Sequence, residues 1–182
     1  GKRMMKRKAG QILALALALA MLLCGCGQKS AEPKEFKNSD GTFSVTAPGD
    51  FVQEDSDSAD YMKLNAPDEA DLGVMIQRMS KTGDSSIAGL EDFVSMYHDR
   101  INTMLQQSED GLQPETITVE GVLAVQAESF SVANGMGDEG KGYLVFYETE
   151  DYYYVYSVTG IGEEYDKRIE EPKTAAATLK EL

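Results

Sequence analysis

The sequence predicts an α+β domain in which helices pack on the faces of a central antiparallel sheet of about six to seven strands. Hydrophobic residues make up 42% of the 182 residues, which is enough to build a packed core. About seven segments alternate apolar and polar residues as strands do. The connections between the last four of these segments are short, which favours antiparallel hairpins. Two further segments have helical periodicity.

The charge balance argues against nucleic acid as a partner. Thirty-one acidic residues against 17 basic ones give a formal net charge of −14. Such a chain lacks the Lys/Arg surface that phosphate backbones require. The one dense basic stretch, residues 2–8, precedes an apolar run and belongs to a targeting segment.

Residues 1–25 have the pattern of an export signal, with a basic stretch followed by uninterrupted apolar residues at 12–23. As a helix this run is about 18 Å long, whereas the hydrocarbon core of a membrane is about 30 Å thick. The segment is therefore predicted to be a secretory signal peptide and not a permanent span.

The end of the apolar run, Leu23, Cys24, Gly25 and Cys26, resembles the lipobox of bacterial lipoproteins. The resemblance implies cleavage by signal peptidase II before Cys26 and a diacylglyceryl anchor on its sulfur. Gly25 is small enough to precede the cut, whereas Cys24 would follow the bulky Leu23. The expected location is the extracytoplasmic face of the bacterial cell membrane. The alternative is an ordinary secretory signal or N-terminal anchor with two incidental cysteines.

Cleavage would remove five basic residues and no acidic one, which changes the formal charge to about −19. Acyl chains, and not a basic patch, would then hold the protein at an anionic surface. Residues 26–40 are polar and are predicted to be the lipidated cysteine with a flexible tether, and residues 41–182 the folded domain.

Strands and helices follow in order from residue 41. The first strand, 43–47, ends at a Pro-Gly-Asp turn, and two more strands are expected at 60–66 and 72–80. The clearest helix begins near Ser85 or Ser86 and ends near Gln107. Its apolar stripe has the spacing of one buried face: Ile87, Leu90, Val94, Tyr97, Ile101, Met104 and Leu105.

Four strands are predicted next, at 115–119, 122–132, 141–149 and 152–159. Both alternating faces of the last two are apolar or aromatic, which implies cover on each side of the sheet. A closing helix over about 163–182 supplies part of that cover, and Pro172 is expected to kink or split it. Its candidate inner residues are Tyr165, Ile169, Ala176 and Leu179.

Three segments resemble PsbP-like (PsbP/Mog-type) domains. Residues 43–51 resemble the opening strand and turn of these domains, with Phe51 where the family usually has Trp. Residues 117–124 resemble a hairpin of the family, and residues 143–159 resemble its two long aromatic strands. The resemblance covers residues 36–182 and implies a PsbP/Mog-like α/β/α sandwich. It also implies a non-catalytic binding or accessory role, because photosynthetic members dock on a membrane complex and eukaryotic relatives bind a small GTPase.

No residue pattern identifies a catalytic centre. His98 is the single histidine, lies off the apolar stripe and is expected to be solvated. It has no second histidine or free cysteine to work with once Cys26 is acylated. We therefore predict no enzyme and no cofactor. A small hydrolase based on paired carboxylates is an alternative, and it would require two converging buried acids.

An acidic loop is a weak candidate for calcium binding through Asp55, Asp57 and Asp60. It begins like an EF-hand loop, but Ala59 and Asp60 occupy positions where that loop needs a ligand and a glycine. A solvated acidic loop is the other interpretation.

Seven of the nine tyrosines lie between residues 143 and 165. Tyr147, Tyr152 and Tyr154 could form an exposed partner-binding patch, because tyrosine supplies large amphipathic contact area. Alternatively they belong to the sheet core, since tyrosine is a good strand former.

The expected function is therefore that of a lipid-anchored extracytoplasmic accessory or binding lipoprotein that docks an unidentified envelope protein at the membrane surface. A lipoprotein that binds a small ligand or cation, accessory to a transporter or to envelope polysaccharide, is the alternative, and the carboxylate hydrolase is the second alternative.

Overall fold

A computed structural model describes residues 31–67, 71–108, 110–133 and 139–182. Within these residues the strands are β1 (Pro33–Lys37), β2 (Phe43–Pro48), β3 (Val52–Gln53), β4 (Tyr61–Asn65), β5 (Leu72–Ser80), β6 (Gln113–Glu115), β7 (Ala124–Ala133), β8 (Glu139–Glu148), β9 (Tyr152–Ile161) and β10 (Lys180–Glu181). The helices are α1 (Leu90–Arg100), α2 (Asn102–Gln106), α3 (Gly162–Arg168) and α4 (Glu170–Ala176).

The central sheet has seven antiparallel strands in the order β3-β4-β5-β9-β8-β7-β6. The predicted α+β class with a central antiparallel sheet is confirmed. β9 is the middle of the long ladder, where Tyr154 lies between Arg78 of β5 and Tyr147 of β8. A short turn between β8 and β9 gives their antiparallel pairing, as the sequence predicted.

The first predicted strand does not belong to the central sheet. β2 lies in a separate three-stranded sheet of order β1-β2-β10, and nearly every residue of β2 is buried. The tether prediction is wrong for residues 33–40, since β1 pairs with β2 along its whole length. Phe36 is only 4% exposed and anchors β1, so the folded unit begins at Glu32 and not at residue 41.

Both faces of the central sheet are covered, as predicted. One face packs against the three-stranded sheet, α3 and α4, and the other packs against α1 and α2. All four residues expected on the inner face of the closing helix are buried: Tyr165, Ile169, Ala176 and Leu179.

The long predicted helix is shorter and interrupted. Ser86 donates its backbone N–H and its hydroxyl to Asp84 Oδ1 in a turn, so α1 begins only at Leu90. The backbone of Ile101 departs from helical geometry with φ −103°, which separates α1 from α2. Met104 on α2 is 38% exposed and does not join the core.

The closing segment is split, as expected from Pro172. α3 ends at Arg168 and α4 begins at Glu170. Pro172 has no N–H to bond the Arg168 carbonyl, so the helix cannot run through unchanged. The last residues form β10, which pairs with Phe43 and Ser44.

The predicted strand 115–119 is largely absent. β6 ends at Glu115, and residues 116–123 form a loop with Gly121 at φ +78°. Ile117 and Val119 turn their side chains into the core on the side of the three-stranded sheet. The backbone therefore leaves the edge of β7 before the two strands have paired fully.

Candidate functional site

The residues of the predicted lipidation site, Leu23, Cys24, Gly25 and Cys26, lie outside the described residues. In the described part of the chain, no helix is long and apolar enough to cross a membrane.

Among the described residues, the three aspartates of the acidic loop do not come together. Asp55 and Asp57 are exposed, and Asp60 Oδ1 accepts a hydrogen bond of 2.9 Å from Nε of Arg78. Across residues 31–67, 71–108, 110–133 and 139–182, no three His, Cys, Asp or Glu residues converge in a way that could hold a metal ion. The predicted grouping of these three aspartates is thus not formed.

The predicted tyrosine patch is wrong for Tyr147 and Tyr154, both of which are 0% exposed. The Tyr147 hydroxyl donates a 2.6 Å hydrogen bond to the carbonyl of Ala176 in α4. Burial raises the pKa of both tyrosines. They belong to the sheet core because α4 and the three-stranded sheet cover this face.

Arg78 brings together two of the predicted residues, Asp60 and Tyr152. Besides its bond to Asp60, it donates a 2.8 Å hydrogen bond from Nη1 to Thr42 Oγ1. Its guanidinium lies 4.4 Å from the Tyr152 ring and 5.3 Å from the Phe43 ring. With 6% of the side chain exposed, Arg78 links the two sheets and is not available to a ligand.

The Tyr154 hydroxyl is next to this cluster. It is buried without a well-formed hydrogen bond from the described residues. Burial is the largest effect on its pKa and raises it, although the Arg78 guanidinium is near enough to oppose that effect.

A partly buried hydrogen-bonded contact between a histidine and a glutamate, which was not predicted from the sequence, joins α1 to the sheet. Nε2 of His98 contacts Oε1 of Glu128 on β7, and the His98 ring meets the edge of Phe146 at 5.8 Å. The Glu128 side chain is only 6% exposed, and that of His98 is 25% exposed. The prediction of a solvated histidine is therefore wrong.

A signal for this pair is present in the sequence. Glu128 and Phe130 fall on the same face of β7 by strand alternation, and Phe130 is buried. A carboxylate at a core-facing position requires a partner. Glu128 is also the one buried carboxylate among the described residues. The hydrolase alternative requires two buried acids, and the described residues do not supply the second.

A groove opens where the chain leaves the edge of β7. Its volume is about 430 Å³, and it lies between the start of the 116–123 loop and the first half of β7. It is lined by Leu112, Pro114, Glu115, Thr116, Ile117, Val125, Gln126, Ala127 and Glu128. The lining is mostly apolar, and its ionisable groups are two carboxylates.

A second depression lies between β6 to β8 and the helices α3 and α4. Lys141 pairs with Asp166 at 2.9 Å, and Lys173 lies 3.7 Å from Glu115. Both lysines of this depression therefore have an acidic neighbour within the chain, and Asp110 adds a third carboxylate to its lining.

The fold and these features define an α+β sandwich that has a partly buried His98–Glu128 contact and an open groove at one sheet edge. No protein-family model matches the chain, and no curated protein matches it. Solved structures share its fold at low sequence identity.

A crystal structure from Bacteroides thetaiotaomicron has a TM-score of 0.51 and 18% identity, and the match covers 83% of this chain and 49% of that one. This chain therefore spans about half of the Bacteroides protein. Cyanobacterial PsbP (CyanoP) from Synechocystis has a TM-score of 0.51 and 9% identity, over 86% and 96% of the two chains.

The Ran-binding protein Mog1p of Saccharomyces cerevisiae has a TM-score of 0.50 and 12% identity, over 81% of this chain and 90% of that one. The domain is thus PsbP/Mog-like in fold, as the sequence motifs implied.

Proposed function

We propose that the protein is a lipid-anchored, extracytoplasmic binding or accessory protein, without catalytic activity of its own, that docks a protein partner at the membrane surface. The proposal rests on the observation that polar side chains of the folded domain are paired with one another while an apolar groove is open. His98 is engaged with Glu128 and Arg78 with Asp60, while an apolar groove stays open beside β7.

The shared fold supports a binding role. Mog1p is a Ran-binding protein, so this architecture can serve to bind another protein. In this chain, the open groove is the candidate surface for binding a partner, because its lining offers apolar contact area and few charged groups.

The anchor is supported by the sequence from Leu23 to Cys26. A diacylated cysteine anchors a protein stably without further membrane contacts. Intact-mass analysis of the protein expressed in a bacterium tests it, with and without globomycin, an inhibitor of signal peptidase II. We expect a mature species that begins at Cys26 and carries a diacylglyceryl group, and precursor accumulating with the drug. An unlipidated species cut elsewhere would refute the anchor.

Photocrosslinking in cells tests the binding role. A photoreactive amino acid is placed singly at exposed positions spread over the body, such as Gln53, Thr116, Leu123 and Thr174. We expect discrete protein adducts in the membrane fraction from a contiguous subset of positions. Absence of a discrete adduct at every position would contradict a docking role.

A further inference from the structure

We propose that the groove beside β7 binds an extended segment of the partner that carries a basic side chain, and that this segment adds as a strand to the open edge of β7. The inference rests on the binding role proposed above and specifies the chemistry of the partner.

The outer edge of β7 is only partly paired. β6 pairs along residues 127–129 and then ends at Glu115. Within the described residues, no backbone hydrogen bond joins residues 116–122 to residues 124–126. The side of this stretch facing away from β8 therefore has unused donors and acceptors, which an added strand requires.

The four edge strands of the described residues are each protected against such pairing. β6 contains Pro114, and β1 begins with Pro33 and carries two lysines. β3 and β10 are two residues long. The open stretch of β7, residues 124–126, has the sequence Ala-Val-Gln and carries neither proline nor charge. This stretch therefore lacks the features that block addition at those four edge strands.

The groove provides a place for the side chains of an added strand. Leu112, Ile117 and Val125 supply apolar lining next to the open backbone. In strand addition, main-chain hydrogen bonds provide the affinity and pockets for alternate side chains provide the specificity. A volume of about 430 Å³ accommodates one or two such side chains.

Glu128 determines the charge preference. His98 contacts one of its oxygens, and no described residue donates a hydrogen bond to the other. That second oxygen is not among the fully buried polar atoms, so it keeps contact with solvent. Because Glu128 borders the groove and its side chain is 6% exposed, a lysine or arginine head group there would meet a largely desolvated carboxylate.

The remaining charges favour the same partner. The second carboxylate of the groove, Glu115, has Lys173 at 3.7 Å and a side chain that is 32% exposed, whereas the Glu128 side chain is 6% exposed, so Glu128 is the less hydrated of the two carboxylates. The groove lining contains no lysine or arginine, and the chain carries a net charge of −14. A basic segment is attracted to this surface, whereas an acidic one is repelled.

Selection from a phage library of random twelve-residue peptides against the detergent-solubilised full chain tests the proposal. We expect enriched peptides with one Lys or Arg among residues of high strand propensity. N-methylation of alternate residues along one edge of such a peptide should abolish binding, and methylation along the other edge should not.

Two exposed threonines of the 116–123 loop give a matched pair of variants. Thr116 lines the groove and Thr118 does not. We expect Thr116→Arg to weaken peptide binding by about tenfold or more, because it adds a positive charge at the groove, and Thr118→Arg to change it by less than about twofold. Glu128→Gln keeps an acceptor for His98 and should abolish the preference for the basic peptide over its Lys-to-Gln analogue.

Four results would overturn the inference: failure to enrich any peptide, enriched peptides without basic residues, equal effects of Thr116→Arg and Thr118→Arg, and tolerance of N-methylation on both edges. A homodimer in sedimentation that Thr116→Arg dissociates would also overturn it, because a second copy would then occupy the edge. Cellular crosslinks that persist in Thr116→Arg would leave the binding role intact and reject only this groove.

Discussion

The two faces of the central sheet are covered in different ways. On one face, the three-stranded sheet, α3 and α4 cover a large cluster that includes Phe36 of β1 and Leu179, the residue before β10. On the other face, α1 and α2 cover a smaller cluster and place the His98–Glu128 pair at its border.

The two faces also differ in how their polar groups are bonded. In the larger cluster, the Tyr147 and Tyr156 hydroxyls donate hydrogen bonds to backbone carbonyls of α4. The smaller cluster is covered by α1 and α2, and the His98–Glu128 contact lies beside the groove. We expect the face with the larger cluster to determine global stability. The face with the smaller cluster should unfold locally at a lower free energy.

Alkaline pH is expected to unfold the protein through the larger cluster. Burial raises the pKa of Tyr143 to about 12 and raises those of Tyr147, Tyr154, Tyr156 and Tyr165. Because each pKa is higher in the folded state, stability is undiminished below the unfolded value near 10. Above pH 10 the free energy of unfolding falls, by up to about 1.4 kcal/mol per pH unit for each of these tyrosines.

Tyrosinate absorbance and far-ultraviolet circular dichroism, followed together across an alkaline titration, check this expectation. We expect these tyrosines to ionise in one cooperative step that coincides with loss of secondary structure. Ionisation near pH 10 while the fold persists would show that the larger cluster is not sealed.

Phe43→Ala should give the largest effect of a single substitution on that face. Phe43 is 0% exposed, and its ring meets Tyr154 edge to face at 5.3 Å. Removal of a buried phenylalanine side chain costs about 3–5 kcal/mol. Urea denaturation measures the loss, with Val52→Ala as the control because Val52 is 61% exposed. Equal, small effects of the two substitutions would argue against the packing of β2.

His98→Ala should destabilise the protein by about 1–3 kcal/mol, since it leaves the Glu128 carboxylate buried without its partner. Hydrogen exchange should show the loss mainly in α1. Asp99→Ala, an exposed neighbour on the same helix, should change stability by less than about 0.5 kcal/mol. If His98→Ala behaved like Asp99→Ala, water would be satisfying Glu128 and α1 would not depend on the pair.

Arg78→Lys should cost about 1–2 kcal/mol. The variant keeps the charge but loses the planar group that bonds Asp60 and Thr42 and stacks on Tyr152. Thermal unfolding at neutral pH measures the change, and Lys63→Arg on the exposed ion pair with Glu54 is the control. A loss no larger than that of the control would mean that Arg78 does not link the two sheets.

Much of the fold was predictable because hydrophobic periodicity reports burial directly. The aromatic strands β8 and β9, the cover on both faces and the split at Pro172 follow from local pattern. The candidate site was harder to predict from the sequence. Glu128 and His98 are 30 residues apart, so their contact depends on how α1 crosses the sheet. The groove depends on the path of residues 116–123, where a short apolar run was compatible with a strand or a loop.

The sequence by itself determined the α+β class, the antiparallel hairpins and the core-facing residues of α3 and α4, because these depend on neighbours in the chain. Only the tertiary structure decided that β2 leaves the central sheet, that Tyr147 and Tyr154 are sealed, and that Glu128 has His98 as its partner. The physical reason is that burial of a strand face or a carboxylate depends on which distant segment covers it, and periodicity carries no information about that segment.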